Sequence, residues 1–199
     1  MKTVAITGNS GSGKTTVSRW LAQQGYVVID GDAVTRDLAQ PGSPYVQALV
    51  RQFGPDVLDE QGNLLRRKVA ERAFATPGAT RQLTDATTPL IYKEIERRIH
   101  EAAQQGSTLV FVDGALIVDT PFEQLCDQII AVLSDAALQA ARIAQRDGIS
   151  VEAAKIRVAR QTPPERLRQR ADFVLENNGE KQELTEKMQL LLNKLKETP

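Results

Sequence analysis

One cysteine in 199 residues cannot form an internal disulfide, and Cys126, following Leu125, sits in a setting that suits a small apolar side chain. A reducing compartment is therefore expected, and the chain reads as cytoplasmic. A surplus of charge of either sign is also missing: 25 Lys and Arg stand against 25 Asp and Glu. With no net field, no nucleic-acid partner is expected. No apolar run approaches the roughly 18 residues of a membrane helix. Met1-Lys2-Thr3 leads straight into a short apolar run with no signal-peptide pattern, so no membrane partner is expected either. Internal repeats, low-complexity tracts and domain linkers are absent as well. With 41% apolar and 25% charged residues, a chain of this length is expected to build one core with smaller insertions.

What is present is concentrated near the start. Thr3-Val4-Ala5-Ile6 reads as a strand, and Gly8-Asn9-Ser10-Gly11-Ser12-Gly13-Lys14-Thr15 follows it in the pattern G-x-x-x-x-G-K-[ST]. An amphipathic helix through Val17, Trp20 and Leu21, starting at Thr16 and ending near Gly25, completes a P-loop. Successive backbone N–H groups and a helix N-terminus then face one anion, normally a nucleotide phosphate. Gly8, Gly11, Ser12, Gly13, Lys14, Thr15 and Thr16 are the expected ATP-binding residues. Lys14 is expected to reach the outer phosphates as a mobile point charge, and the hydroxyl of Thr15 to complete the coordination of Mg²⁺.

Tyr26-Val27-Val28-Ile29 suits a central parallel strand, and Asp30-Gly31-Asp32 follows at its carboxyl end, where ligands bind in such sheets. If the strand conformation persists, Asp30 and Asp32 share a side; otherwise one of them caps the next helix. After the break at Pro41-Gly42-Ser43-Pro44, residues 45–104 read as mainly helical, with turns at Gly54-Pro55 and Pro77-Gly78. Arg66-Arg67-Lys68 reads as a solvated helix start, or as a receiver of an anionic substrate tail. Thr108-Leu109-Val110-Phe111-Val112 is a further strand, ended by Asp113. That acid stands either as a turn residue or where P-loop enzymes place a second carboxylate on the Mg²⁺ side.

Gln128 to Leu133 reads as a buried strand, with Ser134-Asp135 as the N-cap signal for a helix from Ala136 to Arg146. Arg142 and Arg146, four apart, share one face of it. A second helix from Val151 to Gln161 makes an arginine-bearing helix-turn-helix that suits a lid over phosphates. Phe173-Val174-Leu175 supplies a last strand, Asn177-Asn178-Gly179 a turn, and Leu184 to Leu195 a closing helix. The expected fold is α/β: a P-loop NTPase-type three-layer fold with a parallel central sheet. Its expected parts are a core (1–35, 106–135 and 171–199), a helical substrate-binding insertion (36–105) and a helical lid (136–170).

Taken together these residues resemble the dephospho-coenzyme A kinase family nearly end to end. Thr7-Gly8 through Thr16-Val17 looks like that family's P-loop, and Val28-Ile29-Asp30-Gly31-Asp32 with Arg36 looks like its I-D-A-D segment with a following Arg. Leu65-Arg66-Arg67 to Phe74, Pro89-Leu90-Ile91, Arg142 to Arg146, Gln161, Ala171-Asp172 and Asn177-Asn178-Gly179 recur in order. The resemblance implies ATP and Mg²⁺ as cofactors and dephospho-CoA as the small-molecule acceptor. It further implies Asp32 as the base, Lys14 and Arg142 on the phosphates, and Asn178 near the ATP base, with Thr15 and Asp113 on the metal side. Two departures touch the acceptor side. Thr88-Pro89 stands where the family usually has His-Pro, and Ala115-Leu116-Ile117-Val118-Asp119 stands for its P-L-L-[FV]-E. A kinase of another small hydroxyl acceptor, a non-catalytic nucleotide-binding regulator and, less favoured, a GTPase-type switch with Asp59-Glu60-Gln61-Gly62 as its D-x-x-G are the alternatives.

Overall fold

The computed structural model describes residues 1–115 and 117–197. Leu116, within the segment that departs from the family's P-L-L-[FV]-E, and the last two residues of the expected core range lie outside them. In chain order the elements are β1 (Lys2–Thr7), α1 (Lys14–Gln23), β2 (Val27–Asp30), α2 (Gly31–Leu38), α3 (Pro44–Phe53), α4 (Arg66–Ala73) and α5 (Pro77–Gln104). They continue with β3 (Leu109–Asp113), β4 (Gln128–Leu133), α6 (Ala136–Asp147), α7 (Val151–Ala159), α8 (Pro164–Arg170), β5 (Phe173–Glu176) and α9 (Lys181–Glu197). Short 3₁₀ turns at Pro55–Val57 and Pro121–Leu125 fill two connections.

The chain divides into two compact units: Met1–Val28 with Ala102–Pro199, and Ile29–Glu101. The sheet, ordered β2-β3-β1-β4-β5, belongs to the first apart from Ile29 and Asp30 of β2. β1 runs parallel to both β3 and β4, and β4 parallel to β5. Val4, Ile6, Phe111, Ile130 and Val132 are buried on these strands, and Val17, Leu21, Leu184, Met188 and Leu192 of α1 and α9 close over them. The long apolar runs of β1, β3 and β4 are what a strand covered on both faces requires. β2 corrects the expectation of a central strand, because it lies at the edge of the sheet with only Ile29 fully buried. Its apolar run is as dense as those of the central strands, and composition alone does not separate the two positions.

The second unit has its own core of Tyr45, Leu49, Phe53, Val57 and Ala73. Ser43 caps α3 by accepting the Val46 N–H at 3.1 Å, with Pro44 at the first helical position. The expected break at Pro77-Gly78 is the start of α5, capped by Thr76, whose hydroxyl accepts the Ala79 N–H at 3.1 Å. Pro89 lies inside that 28-residue helix and cannot donate to the carbonyl four residues back, yet α5 continues through it. Asp59-Glu60-Gln61-Gly62 is a turn: the Asp59 carboxylate accepts the N–H groups of Gln61 and Asn63 at 3.0 and 2.8 Å. It therefore does not stand at the end of a core strand, where a D-x-x-G switch element would.

Candidate active site

The glycine loop leaves β1 after Thr7 and enters α1 at Lys14, two residues earlier than the expected start at Thr16. Gly13, with φ of 102°, is required at the junction because a Cβ there would stand 2.1 Å from Nδ2 of Asn177. That same Nδ2 donates to the Ser12 carbonyl at 2.7 Å, while the Asn177 N–H donates to the Leu133 carbonyl at 2.8 Å. The loop is thus tied to the end of β4 by a residue that follows β5. Gly8 is constrained in the same way, since a Cβ there would meet the Val132 carbonyl oxygen at 2.4 Å.

Lys14, in the first turn of α1, puts its ammonium on Oδ1 of Asp113, the last residue of β3. One turn along α1, buried Ser18 donates to Oδ2 of the same carboxylate at 2.5 Å. Asp113 is therefore a bonded strand-end acid and not a turn residue. Thr15 is exposed, and the Ser12 hydroxyl is buried without a protein partner.

α6 brings a second set of groups to the loop. Arg142 donates to the Gly11 carbonyl, to the Ser134 hydroxyl and to the Asn177 carbonyl, each at 3.1 Å. All three acceptors are neutral. Arg146, four residues on, reaches the Ser10 hydroxyl at 3.1 Å, but its charge is met by Asp147 at 2.7 Å. Asp147 also accepts from Arg157, and the two guanidinium groups, Arg146 first, hold its carboxyl down at about 2. Of the two arginines that share the helix face, only Arg142 keeps its charge free of a carboxylate among these bonds. Asp135 occupies the N-cap position of α6 without capping it through its side chain. Instead its N–H and carboxylate pair with the Asn178 carboxamide at 2.9 and 3.0 Å. Of the two adjacent asparagines, it is Asn177 whose side chain bonds the glycine loop.

Asp30 and Asp32 belong to the second unit and part company there. The helix starts at Gly31, so the strand does not persist through the pair. Asp30 becomes the N-cap of α2, accepting the N–H groups of Asp32 and Ala33 at 2.8 and 3.1 Å. Asp32, in the first turn, lines a cavity of about 370 Å³. Arg36 and Arg66 supply its cations, while Tyr45, Leu49 and Leu64 supply apolar wall. Of the basic run that opens α4, Arg66 faces this cavity, whereas Arg67 pairs with Glu71 and Lys68 with Asp56.

Comparison with known proteins decides which kinase-like lineage this is. The dephospho-CoA kinase family model matches residues 2–183. The chain belongs to the dephospho-CoA kinase family. Enzymes of this family transfer a phosphoryl group from ATP to dephospho-CoA. The dephospho-CoA kinase of Corynebacterium diphtheriae is 37% identical over 179 residues, covering 90% of each chain. That of Anaeromyxobacter dehalogenans is 35% identical over 196 residues, covering 98% of this chain and 93% of its own. Among solved structures, TT1252 from Thermus thermophilus superposes with a TM-score of 0.79 at 30% identity, covering 98% of this chain and 97% of that one. A shikimate kinase from Acinetobacter baumannii, at 17% identity and a TM-score of 0.54 over 98% of this chain and 94% of its own, shares the fold alone.

For a dephospho-CoA kinase the expected site residues fall into two groups. Gly8, Gly11, Ser12, Gly13, Lys14, Thr15, Thr16, Asp113, Arg142 and Asn178 lie in the first unit, and Asp32 in the second. Ser18, Asn177 and Gln139 were not singled out for the site by the sequence, although each touches it. Gln139 donates to the Ser134 carbonyl at 2.6 Å, beneath the Arg142 contact. Among the described residues no cluster of three or more His, Cys, Asp or Glu could hold a metal. In phosphoryl transfer Mg²⁺ takes most of its ligands from phosphate oxygens and water, and one or two oxygens from the protein. Thr15 Oγ1 and the Asp113 carboxylate could supply oxygens of that kind here, the latter now bonded to Lys14 and Ser18. Among the described residues no helix is long and apolar enough to cross a membrane. Cys126 is a free thiol that burial, first, and the nearby Asp127 and Glu123 push up to about 12.

Proposed function

We propose that this chain uses ATP to phosphorylate the ribose 3′-hydroxyl of dephospho-CoA, with Lys14, Arg142 and Asp32 in the leading roles. The observation that carries the reading is the family match over residues 2–183, with the Lys14–Asp113 pair set at the mouth of the glycine loop. The loop amides and Lys14 hold the donor phosphates. Lys14 leaves Asp113 to do so, trading a carboxylate for a phosphate oxygen. Thr15 and Asp113 would hold Mg²⁺, which would neutralise charge on the phosphates. Arg142, whose bonds go to neutral acceptors, stabilises charge on the transferring group.

Asp32 accepts the proton of the acceptor hydroxyl as the oxygen attacks. One phosphorus–oxygen bond forms to the 3′-oxygen, the bond to the leaving oxygen breaks, and ADP departs with the electron pair. Arg36 and Arg66 suit the anionic part of the acceptor. The helical insertion at 36–105 binds that acceptor and the segment 136–170 acts as the lid. The compartment is the cytoplasm.

Asp32→Asn tests the assignment. It keeps ATP affinity and loses turnover by about 10²–10⁴-fold. Near-normal turnover of the variant with dephospho-CoA, against a panel that includes a nucleoside and shikimate, removes Asp32 as the base. Preference for another acceptor in the unmodified enzyme removes the substrate.

A further inference from the structure

Gln161 lies between α7 and α8, and the roles given above leave it without one. Its carboxamide is fixed at one end only: Oε1 accepts the main-chain N–H of Ser10 at 2.5 Å. The other end, Nε2, is buried and makes no hydrogen bond. Because the Ser10 N–H can only donate, it decides which way the carboxamide is turned and leaves the amino group as an unspent donor. The adjoining residue reinforces the placement, since Nδ2 of Asn9 donates to the Thr162 carbonyl at 2.8 Å. Two consecutive loop residues thus hold two consecutive residues of the α7–α8 connection, and Arg146 reaches the Ser10 side chain at 3.1 Å.

A buried amino group without an acceptor is unfavourable unless a ligand supplies one. The ligand expected at a glycine loop is rich in acceptor oxygens and poor in donors. We infer that Gln161 is a phosphate-contacting residue: while Ser10 holds its carbonyl oxygen, Nε2 donates to a phosphate oxygen of the bound nucleotide. The inference rests on the nucleotide site proposed above. It differs from an arginine contact in adding a neutral donor, which gives direction without adding charge. It also makes the α7–α8 connection part of the nucleotide site, held to the loop by two donor–acceptor pairs.

The test is calorimetric titration of ATP, without acceptor, into the unmodified chain, Gln161→Met and Gln161→Glu. Methionine keeps the length of the side chain and removes donor and acceptor. Glutamate keeps the acceptor for Ser10 and replaces the donor by an anionic oxygen. Binding is expected to weaken about tenfold in Gln161→Met, as for loss of one hydrogen bond, and further in Gln161→Glu. Thermal unfolding of the nucleotide-free variants reports whether each is folded, and either folded variant suffices. A folded Gln161→Met that binds ATP as tightly as the parent, or more tightly, overturns the inference and makes Gln161 a latch that competes for the Ser10 amide. A parent chain that binds no ATP overturns the nucleotide site itself.

Discussion

The ammonium of Lys14 rests on the carboxylate of Asp113, so the cation of the glycine loop and the acid that ends β3 neutralise one another. On the function proposed above, loading a triphosphate is an exchange in which Lys14 moves to phosphate and one carboxylate oxygen is released. Ser18 keeps the other oxygen in place throughout, through its bond at 2.5 Å.

Ser18→Ala removes that donor from a buried carboxylate. A loss of about 1–3 kcal/mol of stability is expected, read as a lower urea midpoint with an unchanged slope. Ser18→Thr, which keeps the hydroxyl, is expected to lose less. An alanine variant with the parent's midpoint would show that the Ser18 bond contributes nothing.

Arg142 and Arg146 share a helix face, but of the two only Arg146 is paired with a carboxylate. Arg142→Met is expected to lower kcat by about 10³-fold, the low end for a cation acting on a transferring phosphoryl group. Arg146→Met, whose charge is already met by Asp147, is expected to lower it far less. Equal losses in steady-state assays of the two variants would contradict the distinction.

Acid stability reports on the second unit. Glu94 accepts from Arg97 at 2.7 Å and from Arg98 at 2.8 Å, and Arg98 continues to Asp37 of α2 at 2.7 Å. Hydrogen bonding by Arg97, first, and Arg98 lowers the Glu94 carboxyl from 4.5 to about 2. A carboxyl held lower in the folded than in the unfolded chain adds stability above pH 4.5, and that contribution is lost as the pH falls toward 2. The thermal midpoint should therefore fall through this window in the parent and fall less steeply in Glu94→Gln. Parallel curves would place the acid sensitivity elsewhere.

The glycine loop, the strands and most helices were legible because each is a local pattern: a fixed motif spacing, an apolar run or a helical repeat. The contacts of Ser18 with Asp113 and of Asn177 and Gln161 with the glycine loop were not legible, because they are pairings distant in sequence. Asn177 meets Ser12 across 165 positions and Gln161 meets Ser10 across 151. The edge position of β2 is likewise a property of strand order. Helix α5 was legible as helix, and the Pro77-Gly78 signal read as a turn is its first two residues, because Pro fits the first turn of a helix as well as it fits a turn. α8 was missed because it is only seven residues long, with Leu167 as its single buried anchor.

The most direct measurement of the central claim is mass detection after incubating the chain with ATP, Mg²⁺ and dephospho-CoA. The account predicts that dephospho-CoA gains one phosphoryl group on its ribose 3′-hydroxyl while ATP is converted to ADP. Unchanged dephospho-CoA, from an enzyme that binds ATP and phosphorylates a different alcohol, would contradict it.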